Sequence, residues 1–354
     1  MGLVFKHVTL GQRVLFGSGK AAEHLAAEVA RLGAKRVMVM ASPSGRALAE
    51  KVASGIKVML WHTEIVMHVP AETAGAARAS AAEHDIDLIV CMGGGSTTGL
   101  AKAVALVSGI PIIAIPTTYA GSEATNVWGL TEASRKTTGV DDKVLPATVI
   151  YDAALTLSLP VDLSVASGLN ALAHCVDSMW APRADPINQA LAAEGIRALN
   201  QGLPLIKEDP SGVPGREQAL YGAYLSAVAF ASAGSGMHHK ICHVLGGAYN
   251  MPHAQTHATV LPYVLAFNTP YAPDAQARIA GAFGTDDAVS GLNALRETLN
   301  APKALKDHGL AEEDIPEAVR LILPAIPASN PRQVTASNLE ELLRAAWAGS
   351  TPGL

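Results

Sequence analysis

The sequence predicts two domains of different class: an α/β dinucleotide-binding type domain with a parallel sheet over residues 1–155, then an all-α domain over residues 156–354. Three observations carry this reading. Up to about residue 150, short β-branched runs alternate with Ala-rich helical patterns, which implies βαβ units. Beyond "ATVIYDAALTLSLP" (147–160) the strand-like runs vanish and long Ala/Leu-rich segments follow. The length of 354 residues also exceeds what one hydrophobic core usually serves.

In the first part, "KRVMVMA" (35–41), "DLIVCM" (87–92) and "PIIAIP" (111–116) read as strands. "AAEHLAAEVARLG" (21–33) and "TAGAARASAAEHD" (73–85) read as helices, the first ending at a glycine suited to a left-handed stop. In the second part, helices are expected over 161–180, 187–203, 216–232, 254–267, 275–299 and 336–349. There is no internal repeat and no low-complexity tail.

Composition narrows the function classes. A chain with 49% hydrophobic and 16% charged residues and a mean hydropathy of +0.24 has the means to bury a large core. A net charge of −5, without a run of Lys/Arg, offers neither nucleic acid nor anionic lipid a footprint. The nearly uncharged stretch 103–122 is interrupted by Gly109, Pro111 and Pro116, so a buried strand with a turn is expected there and not a membrane span. Cys91, Cys175 and Cys242 are odd in number and widely spaced, as expected of reduced, buried thiols. With no apolar leader at the N-terminus, the expected location is the cytoplasm.

Two segments carry chemistry. "DLIVCMGGGSTTGLAKAVAL" sets Gly93, Gly94, Gly95 and Ser96 between a strand and a helix, where backbone N–H groups and a helix N-terminus suit a phosphate. It is not G-x-G-x-x-G, and Leu100 stands where a P-loop needs its lysine, which argues against a nucleoside triphosphatase. A tight turn without a ligand would use the same glycines. However, "IPTTYAGSEAT" brings Thr117, Thr118 and Ser122 to the carboxyl end of another strand, the edge at which open α/β sheets bind dinucleotides. Ser42 ends the second strand where an NAD-selective site usually carries an acidic residue, and Arg46 follows closely; both NADH and NADPH are therefore expected to serve.

The second segment, "MHHKICHVLGGAYNMPHAQTH" (237–257), holds five of the twelve histidines. His239 and His243 are four apart and share a helix face, but Lys240 occupies the position of a zinc-protease glutamate. A break at Gly246–Gly247 and Met251–Pro252 is expected to return His253 toward that face. Upstream, Asn170 and His174 in "SGLNALAHCVDSMWA" are also four apart. A set of core histidines satisfied by hydrogen bonds is the structural alternative to a functional cluster.

Taken together, "FGSG" (16–19), "GGGSTTGLAKA" (93–103), "RKTTGVDDKVLPATVIYD" (135–152), "NALAH" (170–174) and "HHKICHVLGGAYNMPH" (238–253) resemble the iron-containing (group III) alcohol dehydrogenase family over nearly the whole chain. That resemblance implies a dinucleotide-binding domain, a helical domain and an active site in the cleft between them. The family holds a divalent metal through an Asp-x-x-x-His pair and two further histidines, which correspond here to His174, His239 and His253, with Asn170 in place of the aspartate. Loss of the only anionic ligand makes a poorer cage for a hard dication. It also suggests a more positive pocket that needs no metal, although three histidines can hold zinc. Gly99 replaces a usual acidic residue, and Tyr119 is inserted after the paired threonines.

These departures are similar to the maleylacetate reductase branch, which implies reduction of a small dicarboxylate enone by NADH or NADPH in aromatic-compound degradation, by a homodimer. In that scheme His243, His174, His239, His253 and Asn170 supply hydrogen bonds and protons, with His243 the favoured proton donor. Tyr119, His238 and Lys240 are candidates for the substrate carboxylates, Lys136 for the cofactor ribose, and His257 is expected to be structural. The rivals are a metal-dependent alcohol or aldehyde dehydrogenase of the same family, a lyase similar to dehydroquinate synthase and a non-catalytic zinc protein.

Overall fold

The computed structural model describes residues 4–132 and 135–352. It divides into two compact units, one of Leu10–Leu159 with Ser211–Leu220, the other of Met1–Thr9, Pro160–Pro210 and Tyr221–Leu354.

The first unit is built on a six-stranded parallel sheet. Its strands are β1 (Arg13–Phe16), β2 (Val37–Met40), β3 (Val58–His62), β4 (Leu88–Gly93), β5 (Ile112–Pro116) and β8 (Thr148–Tyr151), in the order β1-β8-β5-β4-β2-β3. The helices between them are α1 (Ala21–Leu32), α2 (Arg46–Val52), α3 (Ala71–Glu83) and α4 (Gly95–Ser108). Side chains alternate between the two faces of a strand, and here both faces are covered. Val37, Val39, Val90 and Ile113 pack with Leu25 and Val29 of α1, whereas Met38, Met40, Ile89, Cys91 and Ile112 pack with Ala74, Ala77, Leu100 and Val104 of α3 and α4. That two-sided burial is why the predicted strands read as unbroken apolar runs. A separate antiparallel hairpin joins β6 (Val127–Glu132) to β7 (Arg135–Val140). Helix α1 stops as expected, with Gly33 at φ 67°.

Strands β1 and β3, the two edges of the sheet, are absent from the sequence reading because both are short and only partly apolar. The β1 edge is held by charge. Glu28 of α1 is buried and accepts from Arg13 (Nη2, 3.1 Å), Arg31 (Nε, 2.8 Å) and the Thr148 hydroxyl (2.7 Å). Burial works to raise its carboxyl, but Arg31, Thr148 and Arg13 outweigh it and hold the group down to about 2. The folded protein thus binds this proton less well than the unfolded chain. The resulting stability is present above pH 4.5 and is lost as pH falls toward 2. With both arginines partly in solvent, about 2 kcal/mol is expected. The Tm gap between the wild type and Glu28→Gln should be widest above pH 5 and close toward pH 2; a gap independent of pH would refute this origin.

The second unit is helical: α5 (Val161–Ser178), α6 (Pro186–Glu208), the later part of α7 (Val213–Ala233), α8 (Met237–Tyr249), α9 (His253–Asn268), α10 (Pro273–Phe283), α11 (Ala288–Leu299), α12 (Ile315–Ile322) and α13 (Ala336–Ala348). Two expectations need correction. The segment 275–299 is two helices, because Gly284 at φ 74° ends α10 and the Asp287 carboxylate caps α11 through the Ser290 N–H at 2.7 Å. The break expected at Gly246–Gly247 is absent: α8 runs through both glycines and turns at Asn250, φ 52°. Helices α5, α6 and α7 approach closely at glycines. A Cβ on Gly195 would stand 2.7 Å from Cys175 Sγ, and one on Gly222 would stand 3.0 Å from the Gly195 carbonyl oxygen. All three cysteines are free and buried. Among the described residues no helix is long and apolar enough to cross a membrane.

Candidate active site

The glycine turn and the paired threonines converge at the carboxyl edge of the sheet. β4 and β5 pair in register up to Gly93 opposite Pro116, and the Thr117 N–H donates to the Gly93 carbonyl at 3.0 Å. Gly94 caps α4, and a Cβ there would lie 3.1 Å from Thr118 Cγ2. Gly94, Gly95, Ser96, Thr117 and Thr118 all retain exposure, so backbone N–H groups at the start of α4 are open to a ligand. The strand order reverses between β2 and β4, and ligands of open α/β sheets bind at such a switch point.

Ser42 follows β2 at the same edge. Its hydroxyl accepts from the Gly45 N–H (3.2 Å) and touches the Ser44 hydroxyl (3.1 Å). Arg46 lies 3.9 Å over the Trp61 ring and donates to Glu50 at 2.8 Å. Ser122 begins a short 3₁₀ turn, and its carbonyl accepts from Lys102 Nζ at 2.6 Å. Lys136 lies in β7, and its side chain lies outside the described residues.

Lys102 had no place in the sequence reading. It is fully buried on α4 and also donates to the carbonyls of Thr125 and Val127, both at 2.8 Å, which pins the chain that follows the paired threonines. The one sign in the sequence is a lone lysine within an apolar helix. Burial pushes its ammonium down to about 7 against the pull of Glu123. Three carbonyls at hydrogen-bond distance call for three N–H groups and favour the charged form. The glycine at 99 also has a local cause: a Cβ would stand 2.9 Å from Val69 Cγ2, and Val69 itself holds a left-handed φ of 51°.

The histidines gather in the helical unit. α5 supplies Asn170 and His174, α8 His238, His239 and His243, and α9 His253 and His257. The rings of His174 and His239 stack at 4.7 Å with 15° between planes, and Phe230 of α7 lies 4.7 and 4.4 Å from them. His239 sits 4.8 Å from His257 and 5.9 Å from His243, and His253 sits 4.3 Å from His257, all between ring centroids. The cluster has an inner and an outer layer. His174, His238, His239 and His257 are buried, His243 is partly exposed and His253 is exposed.

Burial, reinforced by neighbouring imidazoles, pushes His174 and His238 down to about 3 and His239 and His257 well below the ordinary range. The inner layer is therefore held in its neutral form, so that Asn170 in place of an aspartate removes a negative charge from the pocket without a cation being added there. On that ground the expectation needs correction for His238. It is fully buried and bonded through Nε2 to His257 Nδ1 at 3.0 Å, so it offers no cation to a substrate carboxylate. Tyr119 is also fully buried, whereas Lys240 keeps partial exposure.

The donor set fits a resident dication poorly. Among the described residues, the group of His, Cys, Asp or Glu whose ligand atoms lie within 4.8 Å of one another is His238, His239 and His257. His174 and His253 are not in it, and two of its nitrogens are bonded to each other. Asn170 contributes a neutral amide whose buried Oδ1 has no hydrogen-bond partner among the described residues. Asp177, on α5 three residues after His174, is the carboxylate of this region, and it is spent on backbone N–H groups and on His239.

The model of the iron-containing alcohol dehydrogenase family matches residues 11–153, and that of the C-terminal part of the Fe-containing alcohol dehydrogenase family matches residues 164–347. The chain belongs to this family. An iron-containing alcohol dehydrogenase structure from Corynebacterium glutamicum is 64% identical with a TM-score of 0.98, each chain covered to 99%. The maleylacetate reductase structure from Rhizobium sp. is 40% identical with a TM-score of 0.93, again with 99% of each chain covered. The maleylacetate reductase of Sphingobium indicum is 44% identical over 98% of this chain and 99% of its own. The family fold, an α/β unit on a parallel sheet and a helical unit, is the one described above.

Proposed function

We propose that this enzyme is a nicotinamide-nucleotide-dependent oxidoreductase that reduces the C=C bond of maleylacetate, giving 3-oxoadipate, in aromatic-compound degradation. The observation that carries the reading is the likeness to proteins named maleylacetate reductase, 41–44% identical over nearly their whole length. The departures from an alcohol dehydrogenase metal site agree with it, above all Asn170 in place of the anionic ligand.

The reaction is a conjugate hydride addition. Hydride leaves nicotinamide C4 for the alkene carbon β to the ketone, the alkene electron pair moves toward the ketone oxygen, and the enolate then takes a proton on the carbon next to the ketone. One NAD(P)H and one proton are consumed. The enolate oxygen needs hydrogen-bond donors, and the carbon needs an acid. His243 serves as that acid, because it stands in the cluster and still reaches solvent. The Asn170 amide is assigned to hold the oxygen, with Lys240 toward a carboxylate. The glycine turn with Ser96, Thr117, Thr118 and Ser122 takes the dinucleotide phosphates, and Lys136 the ribose. Ser42 and Arg46, with no carboxylate at the end of β2, leave room for a 2′-phosphate and favour use of both NADH and NADPH. We further propose that no resident metal is required, and that the enzyme works as a cytoplasmic homodimer.

The test is oxidation of NADH and of NADPH with maleylacetate, on enzyme stripped by a chelator and assayed for residual metal. Turnover within about twofold of the untreated enzyme is expected. Loss on stripping with recovery on one added metal would restore the metal-dependent mechanism, and no oxidation in either state would overturn the substrate.

A further inference from the structure

Asp177 is a carboxylate of the helical unit with four hydrogen-bond donors around it. Its side chain is fully buried on α5. Oδ2 accepts from the backbone N–H groups of Gly236 and His239, both at 3.1 Å, and from His239 Nδ1 at 2.7 Å; Oδ1 accepts from the His238 N–H at 3.3 Å. Three of these donors are the N–H groups of the N-cap Gly236 and of His238 and His239 in the first turn of α8, which have no partner within the helix. One carboxylate from another helix thus caps α8 and opposes its positive dipole end. The approach is tight enough to require the glycine at 236, since a Cβ there would stand 2.6 Å from Asp177 Oδ1.

The fourth bond has a chemical consequence. A carboxylate that accepts from three backbone N–H groups has no proton to offer, so the proton in the 2.7 Å contact belongs to His239 Nδ1. A neutral imidazole protonated at Nδ1 carries a bare lone pair on Nε2. That Nε2 is buried and has no hydrogen-bond partner among the described residues. His239 was expected to join the donor set, and this arrangement denies it that part.

We infer that Asp177 is a positioning residue that fixes His239 in its Nδ1–H tautomer, so that His239 presents Nε2 to a bound ligand as a hydrogen-bond acceptor. Such a lone pair repels a developing enolate oxygen and suits a neutral donor, a hydroxyl, an amide N–H or a water. The oxyanion is thereby directed to Asn170 and His243. Only the identity of the ligand rests on the reductase reading; the tautomer does not.

The experiment is ¹⁵N NMR of the enzyme labelled at histidine, with His239 assigned by the resonances missing from His239→Gln. A protonated Nδ1 and a bare Nε2 at pH 7.5 are expected. A proton on Nε2, or on both nitrogens, would overturn the inference whether or not maleylacetate is turned over. In Asp177→Asn, an amide replaces the charge-assisted acceptor, and the Nε2–H form should gain population. Its kcat should fall about 10–100-fold with the KM for NADH within about threefold of wild type. An unchanged kcat would show that the carboxylate only caps α8 and would overturn the positioning role. Should that variant fail to fold, the wild-type spectrum decides alone.

Discussion

Replacing His243 by glutamine is expected to lower kcat by about 10²–10⁴-fold while leaving NADH affinity within about threefold. Access to solvent is the reason. A group that protonates carbon once per turnover must recover its proton from solvent each time. His174, His238, His239 and His257 are buried away from bulk solvent, and burial keeps them neutral. His239 has its remaining proton committed to Asp177. His243 and His253 are the members that reach solvent, and His243 lies edge-on to His239 with ring centroids 5.9 Å apart. Steady-state rates for His243→Gln and His253→Gln, beside NADH fluorescence titrations, separate the two. A kcat for His243→Gln within threefold of wild type would move the donor to His253 or to water.

Gly93→Ala is expected to weaken dinucleotide binding by about 100-fold or more. The β-carbon would clash with Thr97 Oγ1 and stand 2.9 Å from Thr97 Cβ, in the first turn of α4. Thr97 is itself buried, so relief requires the helix start to shift, and with it the backbone N–H groups offered to the phosphates. Gly95→Ala is the control, because its β-carbon would meet Ala120 Cβ at 3.5 Å, an ordinary contact. Fluorescence titration with NADH, together with Tm, reads both. Equal affinity for the two variants would show that the shape of the turn does not govern binding.

The outline of the site was legible because its signals are local. A strand run into glycines, paired threonines after a proline and imidazoles four apart on helices are set by neighbours in the chain. Edge strands were less legible: β1 and β3 are short and half-solvated, so their periodicity is weak. The merged helix at 275–299 was a misreading of "GTDD", which carries both a left-handed stop and a cap.

By itself the sequence determined the α/β-then-helical order and the concentration of histidines in the helical part, because apolar period and turn chemistry are properties of short segments; it did not show that His238 and His257 pack against His239. Only the tertiary structure decided what each histidine can do. Protonation and tautomer depend on what lies across the helices: burial that neutralises His174 and His238, the His257 ring that engages His238, and the Asp177 carboxylate, 62 residues before His239, that holds its proton. Desolvation and hydrogen bonding between distant segments are sums over space, and no spacing along the chain encodes them.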